Sequence, residues 1–584
     1  MGFNLKIPKL FWVLTMTTII ISSNIAAVNA QDAELSTTNK ESQALSYVSG
    51  VVQSTQNGKV QGIKEGRTFI WFDIPYAKAP VGERRWKAPQ DTENWEGIFD
   101  ATQNRHDAIQ LTNNAIKGSE DCLRLNIYRP ATDSKNLPVL MFIHGGNNQV
   151  GSKMDLSPTK LAVNANCIVI TIDYRLDLLG FNNLPALKTS DPLEDSGNYA
   201  LLDIAKSLDW IKENAVSFGG NPDSITISGF SAGGRDVMAS LISPIMKGKF
   251  QKAIAFSGGM TVTDPNDSRK VIAKKLAKLV VEDKIKPTED AAFEWLQQDT
   301  DDVKAYLYNL SANRIVSVMG EALIRMSGFP HLYADGTVLP KDGFATKVYN
   351  QVPLIMLTGS GEFSSFTSRD PYFSSALKSG KLLADAKIYN QFRFATDYGS
   401  KFYELFNAEE SANKMISNYK APIYTCDILW GNDKKIVGNE MAELVGPTHG
   451  IFLPFLTNED IGPRKEYPES FKNNGAKDLT EKFQNYIANF IRTGNPNGPG
   501  LPQWESWKYS PKGPSQLLFD ADKDKAIIKM SYTHTSYKDI LQQLESDQSI
   551  SPEEKNIIIT RVLNGRWFSS QFDQYFNNQS LWIK

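Results

Sequence analysis

The chain has 584 residues, 41% hydrophobic and 22% charged, with 40 Gly and 28 Pro, a composition that buries a large core and excludes a disordered or collagen-like polypeptide. Lys and Arg number 63 against 65 Asp and Glu, for a formal charge of −2, and no long basic run is present, so no nucleic-acid partner is expected. Three cysteines (Cys122, Cys167, Cys426) and five histidines, none closely spaced, cannot supply the clustered ligands of a zinc or iron–sulfur site, and no metal is expected.

In chain order, Lys6 and Lys9 precede an apolar run over residues 10–21 and a small-residue end at Val28-Asn29-Ala30. This reads as a signal peptide over residues 1–30, so the mature chain is expected to be exported, to the periplasm or the medium. The run is shorter than the roughly 20 residues that span a bilayer, so no stable membrane span is expected after cleavage. With three thiols, at most one disulfide can form in such a compartment.

Residues 31–46 are polar and aperiodic, a tether by composition. From Tyr47 on, apolar runs alternate with amphipathic segments: strands at 137–143 and 167–174, a helix over 199–218 ending at Gly219-Gly220, a strand at 224–228, a helix from Ala232, a strand at 253–257, a charged helix around 269–281, a strand at 353–357 and a helix at 552–563. That alternation predicts an α/β fold with a large, mostly parallel central sheet covered by helices on both faces. The chemical motifs are scattered from Gly145 to His449 and must converge, so residues 47–584 are expected to form a single catalytic domain. The aromatic tail with Trp567, Phe568, Phe572, Tyr575 and Phe576 is expected to pack against its body.

The segment 225–234 reads strand, G-x-S-x-G turn, small-residue helix start. A serine hydroxyl is a poor nucleophile unless it is exposed on a tight strand-to-helix turn with a base in reach, and Ser231 fits that position. Upstream, the strand 139–143 runs into His144-Gly145-Gly146-Asn147. Acyl transfer develops an alkoxide, and backbone N–H groups of Gly145, Gly146 and Asn147, with that of Ala232 after the serine, are candidate donors to it. His144 itself reads as structural.

The chain order of such sites, serine then acid then histidine, leaves His331, His449 and His534 as candidate bases. His449, in the loop Gly446-Pro447-Thr448-His449-Gly450, is best placed at a cleft; the other two suit a surface or core role. Glu362 follows the strand 353–357 and its Gly-rich turn, at the strand end where ligands bind in open sheets, and Asp335 is its rival as the orienting acid.

Together these residues resemble the type-B carboxylesterase and cholinesterase family of α/β-hydrolases, in its bacterial form. The likeness runs from about Val51 to about Phe568, through Phe72-Asp73-Ile74-Pro75-Tyr76-Ala77, the segment 119–126, Asp173-Tyr174-Arg175-Leu176, Phe218-Gly219-Gly220-Asn221-Pro222 and the Ser231 turn. The resemblance implies hydrolysis of a small-molecule carboxylic ester through an acyl-serine intermediate, without a cofactor. It also implies Glu362 as the acid, His449 as the base, Arg85 and Glu120 as a structural ion pair, and Ser257 as a neighbour of the catalytic groups.

Three departures from the family pattern stand out. Asn147 replaces a third glycine, narrowing the oxyanion loop while tolerating positive φ. Phe230 replaces the glutamate before the nucleophile, which favours uncharged, apolar substrates; the expected substrates are small to medium esters. Cys122 lacks its usual partner near Ala108 or Ile109, and the intervening loop lacks tryptophan, which argues against a cholinesterase. Arg235-Asp236 is expected to form an ion pair at the first helical turn. Two other readings stay open: a non-catalytic binding or adhesion protein of the same fold, and a long-chain lipase.

Overall fold

The computed structural model describes residues 45–577 apart from 321–324, 326–327 and 509. The signal peptide and most of the tether lie outside the described residues. The chain divides into units 1–44 and 45–584, and every element below belongs to the second.

Eleven strands form one sheet. In chain order they are β1 (Ile63–Glu65), β2 (Thr68–Pro75), β3 (Arg124–Pro130), β4 (Leu137–Ile143), β5 (Ile168–Ile172), β6 (Gly220–Phe230), β7 (Lys252–Phe256), β8 (Leu354–Gly359), β9 (Ile423–Ile428), β10 (Leu517–Ala521) and β11 (Ala526–Met530). Their spatial order is β11-β10-β9-β8-β7-β6-β4-β5-β3-β2-β1. The interior from β5 to β10 is parallel, and antiparallel strands flank it on both sides. The sheet is therefore mixed at its edges.

Parallel strands buried on both faces send alternate side chains to opposite sides. In β4, Leu137, Val139, Met141 and Ile143 enter one apolar core while Leu140 and Phe142 enter the other. Helix α1 (Tyr199–Asn214) covers the first face with Leu201, Ile204, Leu208 and Ile211. The second face carries Leu479, Phe483, Ile487 and Phe490 of a later helix, Asn474–Thr493.

The predicted elements form, with shifted ends. The segment 199–218 is α-helical only to Asn214; a 3₁₀ turn over Ala215–Phe218 follows, and Gly219 ends it at φ 74°. β6 begins at Gly220, earlier than expected. Helix α2 (Ala232–Ile242) starts where expected, whereas α3 (Pro265–Glu282) is longer, because the Asp264 side chain accepts the N–H groups of Asn266 and Asp267. Further along lie α4 (Ala386–Asn407), α5 (Phe452–Thr457), α6, the Asn474–Thr493 helix above, and α7 (Pro552–Arg561), which is fixed at its start by a Ser551–Glu554 capping box.

The sheet order reverses at β4: β5 lies on one side of it and β6 on the other. Such a switch point opens a crevice at the carboxyl ends of the strands. Register brings those ends level, with Ile143 beside Gly229, Phe230 beside Phe256 and Phe256 beside Leu357. The residues that follow each strand are thus lateral neighbours: the 144–147 loop, Ser231, Ser257 and the turn leading to Glu362.

An ion pair between the buried Arg85 and the half-buried Glu120 secures the first part of the chain. Arg85 Nε and Nη2 donate to Glu120 Oε1 and Oε2, each at 2.7 Å, and Arg85 Nη1 donates to Leu310 O at 2.7 Å. The three cysteines are buried and free, and Cys122 has no disulfide partner. Among the described residues no helix is long and apolar enough to cross a membrane.

Candidate active site

Ser231 sits between β6 and α2 with φ 58° and ψ −115°, a conformation that strains any residue bearing a Cβ by about 1–3 kcal/mol. Its N–H donates to Phe256 O (2.9 Å) and its carbonyl accepts the N–H of Arg235 (3.0 Å), so strand β7 and the first turn of α2 hold it there. The turn closes because Gly229 and Gly233 have no side chain. A Cβ on Gly229 would lie 2.2 Å from Gly233 O, and one on Gly233 would lie 2.2 Å from Ile143 O. The half-buried serine stands at the crevice.

The loop after β4 packs directly on this turn: a Cβ on Gly145 would lie 2.9 Å from Phe230 O and 3.0 Å from Ser231 Cβ. Gly146 (φ 98°), Asn147 (φ 59°) and Asn148 (φ 55°) all take positive φ. Their peptides close a turn in which Gly146 O accepts from Gln149 and Val150 N–H, each at 3.1 Å, while the N–H groups of Gly146 and Asn147 donate to no group among the described residues. Ala232 is the first residue of α2, so its N–H has no acceptor within the helix. His144 is structural, as expected: its ring stacks on Tyr174 at 4.6 Å and its Nδ1–H donates to Gly145 O.

Glu362 is fully buried. One carboxylate oxygen, Oε1, accepts from Ser257 Oγ (2.5 Å), Gly359 N (2.8 Å) and Thr358 Oγ1 (3.3 Å). The other, Oε2, accepts the Nδ1–H of His449. The histidine loop is tied to the glutamate turn by a bond from Gly361 N to Pro447 O at 3.1 Å. His449 Nε2 is buried and makes no hydrogen bond among the described residues. A carboxylate on Nδ1 fixes the tautomer that leaves Nε2 free to take a proton.

The imidazole is boxed by rings that come from separate elements. Phe230 lies 4.7 Å from it, Phe366 5.0 Å and Tyr403 5.6 Å, centroid to centroid. Trp567 closes the set behind Phe366 (5.9 Å) and Tyr403 (6.3 Å), and Phe452 of α5 backs Phe230 at 5.2 Å. The C-terminal aromatic tail thus does pack on the body: Trp567, Phe568 and Phe572 are buried, although Tyr575 is half exposed. Phe366, Tyr403 and Trp567 could not be placed here from sequence, because no periodicity links three rings so far apart in the chain.

The rival groups have other tasks. Asp335 accepts the N–H groups of Thr337, Val338 and Leu339 and the Asn198 amide, which makes it the anchor of a turn. His534 bonds Glu409, and His106 bonds Asp73 at 2.5 Å. His331 is buried; burial and the neighbouring Arg235 cation hold it well below the usual histidine range, so it is a neutral acceptor.

The expected Arg235–Asp236 ion pair does not form. Adjacent helical residues point about 100° apart and do not face each other. Arg235 turns to Asn147 Oδ1 (3.2 Å) and His331 Nε2 (3.1 Å), with its guanidinium 4.8 Å from the Trp567 ring centroid. Asp236 accepts from Asn148 Nδ2 at 2.9 Å, and burial pushes its carboxyl up to about 7.

Residues 49–421 match the family described as "Carboxylesterase family". The para-nitrobenzyl esterase of Bacillus subtilis (strain 168) is 43% identical over 216 residues, which cover 35% of this chain and 43% of that protein. The liver carboxylesterase 1 of Mus musculus is 30% identical over 518 residues, 78% of this chain and 87% of that protein. Among solved structures, a PNB esterase superposes with a TM-score of 0.64 at 26% identity, covering 84% of this chain and 99% of the other.

Proposed function

The chain belongs to the carboxylesterase family and is a carboxylic ester hydrolase, and from that premise we propose that Ser231, His449 and Glu362 carry the reaction. The Ser231 hydroxyl attacks the ester carbonyl carbon while His449 Nε2 takes its proton. Glu362 keeps Nδ1 protonated and stabilises the imidazolium that forms. The tetrahedral alkoxide is met by the N–H groups of Ala232 and the Gly145–Asn147 loop, chiefly Gly146 and Asn147. As the C–O bond breaks, His449 returns its proton to the leaving alcohol and an acyl-serine remains. Water, deprotonated by His449, then cleaves the acyl-serine, and the acid leaves with Ser231 restored.

The observation that carries this reading is the contact between His449 Nδ1 and the buried Glu362, with Nε2 left unbonded and the ring 4.7 Å from that of Phe230, the residue before the strained Ser231. Preference for small to medium, uncharged esters follows from the rings around His449, where Phe230 contributes no charge. Export of the mature chain rests on the sequence of residues 1–30.

The test is the initial rate on p-nitrophenyl acetate, butyrate and palmitate, beside Ser231→Ala. Turnover of the acetate and butyrate that the variant loses supports the proposal. Preference for palmitate would replace it with a lipase, and absence of serine-dependent turnover would favour a binding protein.

A further inference from the structure

Asn147 holds a conformation that a side chain resists. At φ 59° its Cβ crowds the following carbonyl, a strain that glycine lacks and that asparagine bears more readily than most residues, the more so when its amide is hydrogen-bonded. The amide is engaged at both ends: Nδ2 donates to Gln149 Oε1 at 2.7 Å, and Oδ1 accepts from Arg235 Nη2 at 3.2 Å. The second partner lies on another element, the first turn of α2. There the Arg235 N–H also donates to the carbonyl of Ser231. One residue thus grips the nucleophile's turn by its backbone and the oxyanion loop by its side chain.

Arg235 is itself fixed. It is buried, its Nη1 bonds the neutral His331, whose Nδ1–H donates to Phe329 O at 2.8 Å, and its guanidinium faces Trp567. Burial lowers its pKa only to about 10, so it stays a cation at neutral pH. A rigid donor of this kind aims a charge-assisted hydrogen bond at the Asn147 carbonyl oxygen.

We propose that Arg235 is a positioning residue for catalysis: by holding the Asn147 side chain it keeps the 146–147 peptides in the left-handed turn that leaves their N–H groups free to meet the oxyanion. This rests on the serine-hydrolase reading above. Without the guanidinium, Asn147 relaxes toward negative φ and its N–H leaves the site. A glycine at 147 needs no such restraint, because it takes positive φ without steric cost.

The experiment measures kcat and KM for p-nitrophenyl butyrate, and Ki for a trifluoromethyl ketone that forms a tetrahedral oxyanion adduct, across Arg235→Met, Asn147→Ala, Asn147→Gly and the Arg235→Met/Asn147→Gly double variant. Arg235→Met and Asn147→Ala are each expected to lower kcat and weaken the ketone about tenfold, the scale of one Cβ's left-handed strain, with KM nearly unchanged. Adding Asn147→Gly to Arg235→Met is expected to restore kcat to within about threefold of Asn147→Gly alone. Losses that simply multiply in the double variant would overturn the proposal, since Arg235 would then act by packing against His331 and Trp567. If Arg235→Met does not fold, the comparison of Asn147→Ala with Asn147→Gly decides, and equal activity of these two would overturn it. Failure of the underlying reading is seen separately, as turnover that survives Ser231→Ala.

Discussion

Phe230 and His449 lie ring against ring, 4.7 Å between centroids, at the point where β6 turns into Ser231. The side chain before Ser231 therefore meets the proposed base with an uncharged aromatic face. Phe230→Glu places an anion there. Against a neutral isostere, 3,3-dimethylbutyl thioacetate, the variant is expected to gain about tenfold in relative kcat/KM on acetylthiocholine. An unchanged ratio would show that residue 230 does not face the substrate's charge.

Ser257 donates to the same Glu362 oxygen as Gly359 N and Thr358 Oγ1, and leaves Oε2 to His449. Ser257→Ala removes one bond to a buried carboxylate without touching the reacting atoms. The expected result is a fall in kcat of about tenfold with KM unchanged, read from full saturation curves; a change confined to KM would contradict it.

The loop that carries Asn147 rests on carboxyl groups kept neutral by burial. Asp177 donates its N–H to Asn148 O at 2.7 Å, and burial pushes its carboxyl up to about 8; the Asp236 carboxyl, on Asn148 Nδ2, stands at about 7. Both values lie above the unfolded value of about 4, so the folded state binds more protons than the unfolded state between them. The stability they contribute is complete below about pH 4 and is lost as pH rises through about 7 to 8. The wild-type Tm is therefore expected to fall between pH 6 and 9 more steeply than that of Asp177→Asn, whose amide does not titrate. Parallel curves in differential scanning fluorimetry would refute this.

Arg85 and Glu120 form a largely buried two-point pair, which loses more when halved than when absent. Glu120→Ala strands the guanidinium and is expected to cost about 3–5 kcal/mol, measured by urea unfolding. A loss under 1 kcal/mol would mean that the Leu310 and Tyr308 carbonyls satisfy Arg85 without Glu120.

Much of the site was legible because it follows strand ends. The run 139–143, the glycines around Ser231 and the turn before Glu362 each announce a buried strand meeting a loop, and parallel register does the rest. What stayed hidden was side-chain company across elements. Arg235 reads locally as half of a pair with Asp236, and only the approach of the 144–147 loop to α2 gives it Asn147 instead. The ring box around His449 draws on residues 230, 366, 403 and 567, whose meeting depends on how α4 and the C-terminal tail dock. Of the antiparallel edge strands, the three-residue β1 leaves no pattern to read.

The central assignment, Ser231 as an activated nucleophile, is tested most directly by intact-protein and peptide mass spectrometry after incubation with a p-nitrophenyl phosphonate. The predicted result is complete inactivation with one phosphonyl group per chain, located on Ser231, and no adduct in His449→Ala on the same timescale. An adduct on another residue, or esterase activity that survives modification of Ser231, would contradict it.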